Sequence, residues 1–224
     1  MTMTPAQESL ALQLFDIGAV KFGDFKLKLH ETQPNAPLSP IYFNLRTPDN
    51  PKPGPITHGV MGLLGAVLYS ETLRLGLAYD HIAGIPNAGD PFAKAFNDAV
   101  GSDDIAPANR LSFRKEDDGE KRRIGKLDGE SFSSNQTVLL IDDLITRADT
   151  KFEAIKSVED AGLKVVGTLV LIDREQGGRQ QLEEAGYQLF EIYRLSELLI
   201  LYVDQGRITQ ETADKVLTYL RENR

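Results

Sequence analysis

The sequence predicts an α/β fold: a parallel β-sheet flanked by helices, with a small N-terminal hood. Two observations carry this prediction. From about residue 80 onward, short apolar runs alternate with helical stretches, the rhythm of βαβ units. Those runs are continuously apolar rather than alternating, as strands covered on both faces should be. A third observation sets the first 58 residues apart, because there the strands alternate apolar with polar residues and proline-rich loops intervene.

Taken in order, "AQESLALQLFDIGAVK" (6–21) spaces its apolar residues as a helix does. "FGDFKLKL" (22–29) alternates like a half-buried strand, "HETQPNAPLSP" reads as a loop, and "IYFNLR" (41–46) returns to strand character. "TPDNPKPGPIT" carries four prolines and can form neither a helix nor a central strand. A helix is predicted over Gly59 to Leu75. "HIAGIP", "LSFRK", "TVLLID" and "VVGTLVLID" are the predicted sheet strands. "PFAKAFNDAV", "DTKFEAIKSVEDAG" and "GRQQLEEAG" are the helices beside them. The last thirty residues read as two helices divided at "DQGRIT". With no repeat and no evident linker, the expectation is one domain over 1–224: a hood from 1–58 plus C-terminal segments, and a core over about 59–200.

Composition narrows the function. There are no cysteines, which excludes disulfides, thiolate metal sites and cysteine nucleophiles. No apolar run is long enough for a membrane helix, and "MTMTPAQESL" lacks the pattern of a secretory signal, so a cytoplasmic protein without membrane partners is expected. A net charge of −8 argues against nucleic acid as a general partner. The stretch "RLSFRKEDDGEKRRIGK" (110–126) runs the other way, with seven basic residues against four acidic, and reads as a charged loop able to attract a small anion.

The chemistry concentrates in "VLLIDDLITRADT" (138–150). Ligands of open parallel sheets bind beyond the carboxyl ends of the strands. Asp142 and Asp143 follow the apolar run, Thr146 and Thr150 lie in the loop, and a helix starts near Asp149. Backbone N–H groups at a helix start form an anion site. Two carboxylates on the same rim suit ribose hydroxyls or, through water, a Mg²⁺ ion. Phosphate plus ribose hydroxyls is the outline of a phosphorylated sugar.

These residues resemble the phosphoribosyl-pyrophosphate (PRPP) motif of the type I phosphoribosyltransferases, which have a Rossmann-like parallel sheet. "LFDIGAVKFGDFKLK", "SPIYFNLR" and "LIDREQGG" (171–178) narrow the resemblance to orotate phosphoribosyltransferase, over about Leu12 to Leu220. The resemblance implies transfer of phosphoribosyl from PRPP to orotate, giving orotidine 5′-monophosphate and pyrophosphate in pyrimidine synthesis. It implies Mg²⁺ as cofactor and a homodimer whose catalytic loop reaches the neighbouring site. Association with an orotidine monophosphate decarboxylase is a further implication, because the family includes fused forms.

Residue by residue, the resemblance assigns Lys28, Tyr42, Phe43 and Arg174 to orotate, with Arg174 pairing the orotate carboxylate. It assigns Asp142, Asp143, Thr146, Arg147, Ala148, Asp149 and Thr150 to PRPP, and Asn87 and Ala88 to the loop beside the pyrophosphate. Arg114, Lys115, Lys121 and Asp143 are the implied catalytic groups. The chain departs from the pattern at three places. Ala148 stands where the phosphate loop has glycine, with the acidic Asp149 next to it. Asn87 and Ala88 replace a tyrosine–lysine pair. Asp118 and Glu120 replace a lysine and a histidine of the catalytic loop. The departures keep a second expectation in view: a catalytically impaired relative that binds orotate or a pyrimidine nucleotide as a sensor or partner subunit. A phosphoribosyltransferase for another base is a third, and "DREQGG" speaks against it.

Overall fold

Thr4 starts the first helix, α1 (Pro5–Asp16), with a capping box: its hydroxyl accepts the Gln7 N–H, and the Gln7 side chain accepts the Thr4 N–H. Pro5 adds a fixed φ at the first helical position. The computed structural model describes residues 3–27, 30, 33–48, 50, 52–101, 109–117, 122–129 and 132–223, leaving aside the side chains of residues 109, 115–117, 122 and 123.

The chain divides into two compact units. The first comprises Met1–Val60 and Leu195–Arg224. In it β1 (Val20–Phe25) pairs antiparallel with β2 (Ser39–Phe43), Val20 opposite Phe43 and Lys21 opposite Tyr42. Helices α6 (Leu195–Asp204) and α7 (Gln210–Glu222) complete it. The rings of Phe15 and Tyr202 lie 5.1 Å apart, and the buried Tyr202 hydroxyl donates to the Ala11 carbonyl at 3.0 Å. The predicted helix over 6–21 is shorter than expected, because Gly18 turns the chain with φ +72 and Val20 and Lys21 join the strand.

The second unit, Met61–Arg194, holds a six-stranded sheet. Its strands are β3 (His81–Gly84), β4 (Asn109–Asp117), β5 (Arg122–Asp128), β6 (Thr137–Ile145), β7 (Lys164–Asp173) and β8 (Leu189–Arg194). The order is β5-β4-β3-β6-β7-β8, parallel throughout except for the β4–β5 hairpin. The other helices among the described residues are α2 (His58–Leu75), α3 (Gly89–Gly101), α4 (Asp149–Asp160) and α5 (Gly178–Glu184). The expected α/β class and parallel sheet are found. Val138, Leu139, Leu140 and Ile141 are fully buried, each worth about 1.5–3 kcal/mol of hydrophobic stabilisation. No helix among the described residues is long and apolar enough to cross a membrane.

Two strands escaped the sequence reading. Within the charged loop expected over 110–126, the described residues form two antiparallel strands, with Lys115 opposite Ile124 and Asp117 opposite Arg122. Leu111, Phe113 and Leu127 of this pair are buried, whereas Arg110, Arg114 and Lys126 are exposed. Strand β8 was hidden by Glu191 and Arg194, which pair with each other at 2.8 Å.

Candidate active site at the switch point

Strand β3 leads through α3 to β4 on one side, and β6 leads through α4 to β7 on the other. The connections therefore diverge between β3 and β6, which is where a crevice opens in doubly wound sheets. The β3 ladder ends at Gly84 opposite Ile141, and the Ile85 N–H closes it on the Ile141 carbonyl at 2.8 Å. Strand β6 runs on to Ile145 with β7 alone as partner. Asp142 and Asp143 thus lie inside the strand, not after it as expected. In this stretch carboxylates take over the work of a ladder: the Asp143 N–H donates to Asp142 Oδ1 at 2.9 Å, and the Leu144 N–H to Asp143 Oδ1 at 2.7 Å.

Asp142 is buried, and its Oδ2 meets Lys151 Nζ at 2.8 Å. The same ammonium donates to the Leu144 carbonyl at 2.8 Å. Asp143 is pushed up to about 8, first by burial and then by the negative charge of Asp142, with Lys151 opposing. Of the two acids, Asp142 is the one held by the lysine, and Asp143 is the one whose protonated form burial favours.

The loop after β6 is pinned from the loop after β7. The Arg174 N–H donates to the Ile145 carbonyl at 3.0 Å, and the Gly178 N–H to the Thr146 carbonyl at 3.1 Å. The Ala148 N–H donates to Gln181 Oε1 at 2.9 Å. Ala148 has φ −93 and ψ 3 and is fully buried in the apolar core. The expected conflict between its Cβ and a phosphate does not arise in this conformation, because the methyl group packs inward and no left-handed φ is called for. Arg147 is exposed, Thr146 half-buried, and Asp149 and Thr150 are exposed at the start of α4. Ala148 gives α4 no side-chain cap, so the first amides of the helix face outward at its positive end.

Arg174 and Gln176 are buried in the β7–α5 loop, which is held tight by Glu175 at φ 57 and Gly177 at φ 99. Arg179 braces this loop, reaching Asp173 Oδ2 at 3.1 Å, the Leu189 carbonyl at 3.1 Å, and Glu191. Across the crevice, Asn87 and Ala88 are exposed in the β3–α3 loop. That loop is drawn close to β6, and a Cβ on Gly89 would collide with the Ile141 carbonyl oxygen.

The remaining predicted residues are on other elements or outside the described residues. Arg114 is an exposed strand residue whose Nε holds Asp128 Oδ2 at 3.0 Å. Lys115 is on β4, with its side chain outside the described atoms. Lys28, Lys121, Asp118 and Glu120 fall outside the described residues. Tyr42 and Phe43 are half-buried on β2 in the first unit, the Tyr42 ring 5.5 Å from that of Phe25.

Sequence reasoning missed Lys151 and Gln181. A signal for Lys151 was present: it shares one helical face with Ala154, Ile155 and Val158, all buried, where spacing calls for an aliphatic residue. Mg²⁺ held by water between Asp142 and Asp143 is the expectation this cluster does not support. Both Asp142 oxygens are engaged, one by an ammonium. Among the described residues no group of three or more His, Cys, Asp or Glu side chains is arranged to hold a metal.

No protein-family model matches the chain. It is 30% identical over 216 residues to uridine 5′-monophosphate synthase of Bos taurus, covering 96% of this chain and 41% of that protein. It is 33% identical over 141 residues to orotate phosphoribosyltransferase of Aquifex aeolicus, covering 61% of this chain and 72% of that protein. Among solved structures, UMP synthase of Leishmania donovani superposes with a TM-score of 0.73 at 31% identity, over 97% of this chain and 42% of that one. The chain thus spans about two fifths of the length of the two synthases it matches.

Proposed function

The chain belongs to the orotate phosphoribosyltransferase family, and on that premise we propose that it transfers phosphoribosyl from PRPP to orotate in pyrimidine synthesis. In this reaction the ring nitrogen of orotate forms the new bond to the ribose anomeric carbon as the bond to pyrophosphate breaks. The observation that carries the proposal is the adjacency of two strand ends: the acid pair within the last residues of β6 with the uncapped α4 start beyond it, and the buried Arg174 just after β7.

The 5′-phosphate would sit at the start of α4, against the amides of residues 149–151 and the hydroxyls of Thr146 and Thr150, with Arg147 adding a cation. Asp143, whose protonated form burial favours, would exchange hydrogen bonds with the ribose hydroxyls. Arg174 would pair the orotate carboxylate, and Asn87 and Ala88 would line the pyrophosphate side with backbone groups. From the resemblance alone, Lys28, Tyr42 and Phe43 are proposed as orotate contacts. On the same basis Arg114, Lys115 and Lys121 are proposed as cations of the β4–β5 hairpin that meet the departing pyrophosphate across a homodimer. Positive charge aimed at that group stabilises a dissociating transition state. Mg²⁺ belongs to the pyrophosphate of the substrate in this reading, and no residue role above depends on it. A cytoplasmic setting and association with an orotidine monophosphate decarboxylase complete the proposal, the latter supported by the longer synthases among its relatives.

The test is direct. Purified protein with PRPP, Mg²⁺ and orotate should consume orotate absorbance and yield orotidine 5′-monophosphate by chromatography. A folded protein giving no nucleotide product above the uncatalysed rate overturns the proposal.

A further inference from the structure

The Lys151–Asp142 pair deepens the reading above and rests on it for the identity of the ligand, although its own test does not need turnover. A phosphoribosyl substrate is strongly anionic, and two bare carboxylates on its rim would repel it. A divalent cation between them is one remedy. This chain contains another. Lys151 Nζ lies 2.8 Å from Asp142 Oδ2 and 2.8 Å from the Leu144 carbonyl, and the side chains of Lys151 and Asp142 are 5% and 7% exposed. Asp142 Oδ1 is taken by the Asp143 N–H. The carboxylate is therefore held from both ends, on elements that also build the start of α4. A lysine on the buried face of an amphipathic helix pays a desolvation cost that an aliphatic residue would avoid, and it is tolerated only with a matched partner.

We propose that Lys151 is the built-in cation of the phosphoribosyl subsite, occupying the place of a divalent metal at the acidic pair and leaving Asp143 as the one acid offered to ligand. It is a positioning residue, acting through Asp142. The ammonium is covalently tethered, so its charge is present before any ligand arrives and does not exchange with solvent ions. The acid pair then has no affinity of its own for a divalent ion.

The probe is Mn²⁺ alone, titrated into the substrate-free full chain and read by the loss of its free-ion paramagnetic resonance signal. Wild type should show no saturable binding up to about 1 mM, the range of weak oxygen-ligand sites. Lys151→Met should gain a site, with Mn²⁺ affinity raised by about tenfold or more. Lys151→Met with Asp142→Asn should lose it again, and Lys151→Arg should resemble wild type. Thermal melting checks that each variant is folded. If Lys151→Met does not fold, Lys151→Gln replaces it, since its amide can still donate to the Leu144 carbonyl. Saturable wild-type binding that Asp142→Asn removes, or no gain on removing the Lys151 charge, overturns the proposal. An orotate assay run in parallel separates the two readings. No turnover with the Mn²⁺ pattern intact sinks the enzyme and leaves the cation, and turnover with the pattern absent does the reverse.

Discussion

The backbone N–H of Ala148 donates to the side-chain amide oxygen of Gln181 at 2.9 Å, tying the loop after β6 to helix α5. The bond spans 33 positions of sequence and holds in place the residue from which α4 departs. Gln181→Leu strands a buried donor and should cost about 1–3 kcal/mol, measured by urea denaturation. Gln181→Glu restores an acceptor and should recover most of that stability. Its added charge near the start of α4 should weaken PRPP binding in calorimetry. Equal PRPP affinity in wild type and Gln181→Glu would place the phosphate elsewhere.

Asp149 and Ala148 are both departures from the family pattern, but they should behave differently. Asp149 is exposed in the first turn of α4, where its charge competes with an incoming anion. Asp149→Asn should tighten PRPP by about two- to fivefold, the size of a single charge effect at a helix end. Ala148→Gly should leave affinity unchanged and lower stability by about 1 kcal/mol, through a lost buried methyl and a looser unfolded chain. Tighter PRPP binding by Ala148→Gly alone would mean that the bound loop adopts a backbone different from the one described.

Asp143 sets a pH dependence. Its folded pKa of about 8 lies above the ordinary carboxyl value, so the folded protein retains a proton that the unfolded chain has lost. The contribution to stability is fully present below the unfolded pKa of about 4 and is lost as pH rises through 8. The melting temperature of wild type should therefore fall more between pH 5 and pH 9 than that of Asp143→Asn. PRPP affinity should also weaken above about pH 8 in wild type, as a second negative charge appears beside the ligand. A flat profile in both proteins would show that Asp143 is an ordinary ionised acid.

Gly89 tests the narrowness of the crevice. An added Cβ would meet the Ile141 carbonyl oxygen and stand 3.2 Å from Asp142 Oδ1. Backbone cannot yield as a flexible side chain can, so the β3–α3 loop must shift. Gly89→Ala should cost about 1–3 kcal/mol, as overpacking of a tight site does. It should also weaken PRPP more than it weakens orotate. A variant with wild-type melting and binding would refute the close approach.

The central strands could be read from the sequence because burial on both faces demands unbroken apolar runs, and "TVLLI" and "TLVLI" satisfy that demand. The carboxyl end of "TVLLI" then located Asp142, Asp143 and Thr146, whereas Arg174 was found through the family resemblance of "LIDREQGG". Strand β5 was obscured because local charge density outweighed the sparse apolar positions Ile124 and Leu127, whose partners lie on β4. Lys151 and Gln181 were missed for a different reason. Periodicity tells which face of a helix is buried, but not which distant atom a buried polar side chain will find. The same limit made Ala148 look like a defect, when its methyl group faces the core.

The first unit is assembled from both termini of the chain, Met1–Val60 with Leu195–Arg224, whereas the second is one continuous segment. During synthesis every strand of the six-stranded sheet is therefore made before Tyr202, the hydrogen-bond donor to Ala11. The antiparallel pair and α1 are thus made first, and the helices they pack on, α6 and α7, are made after the whole six-stranded sheet.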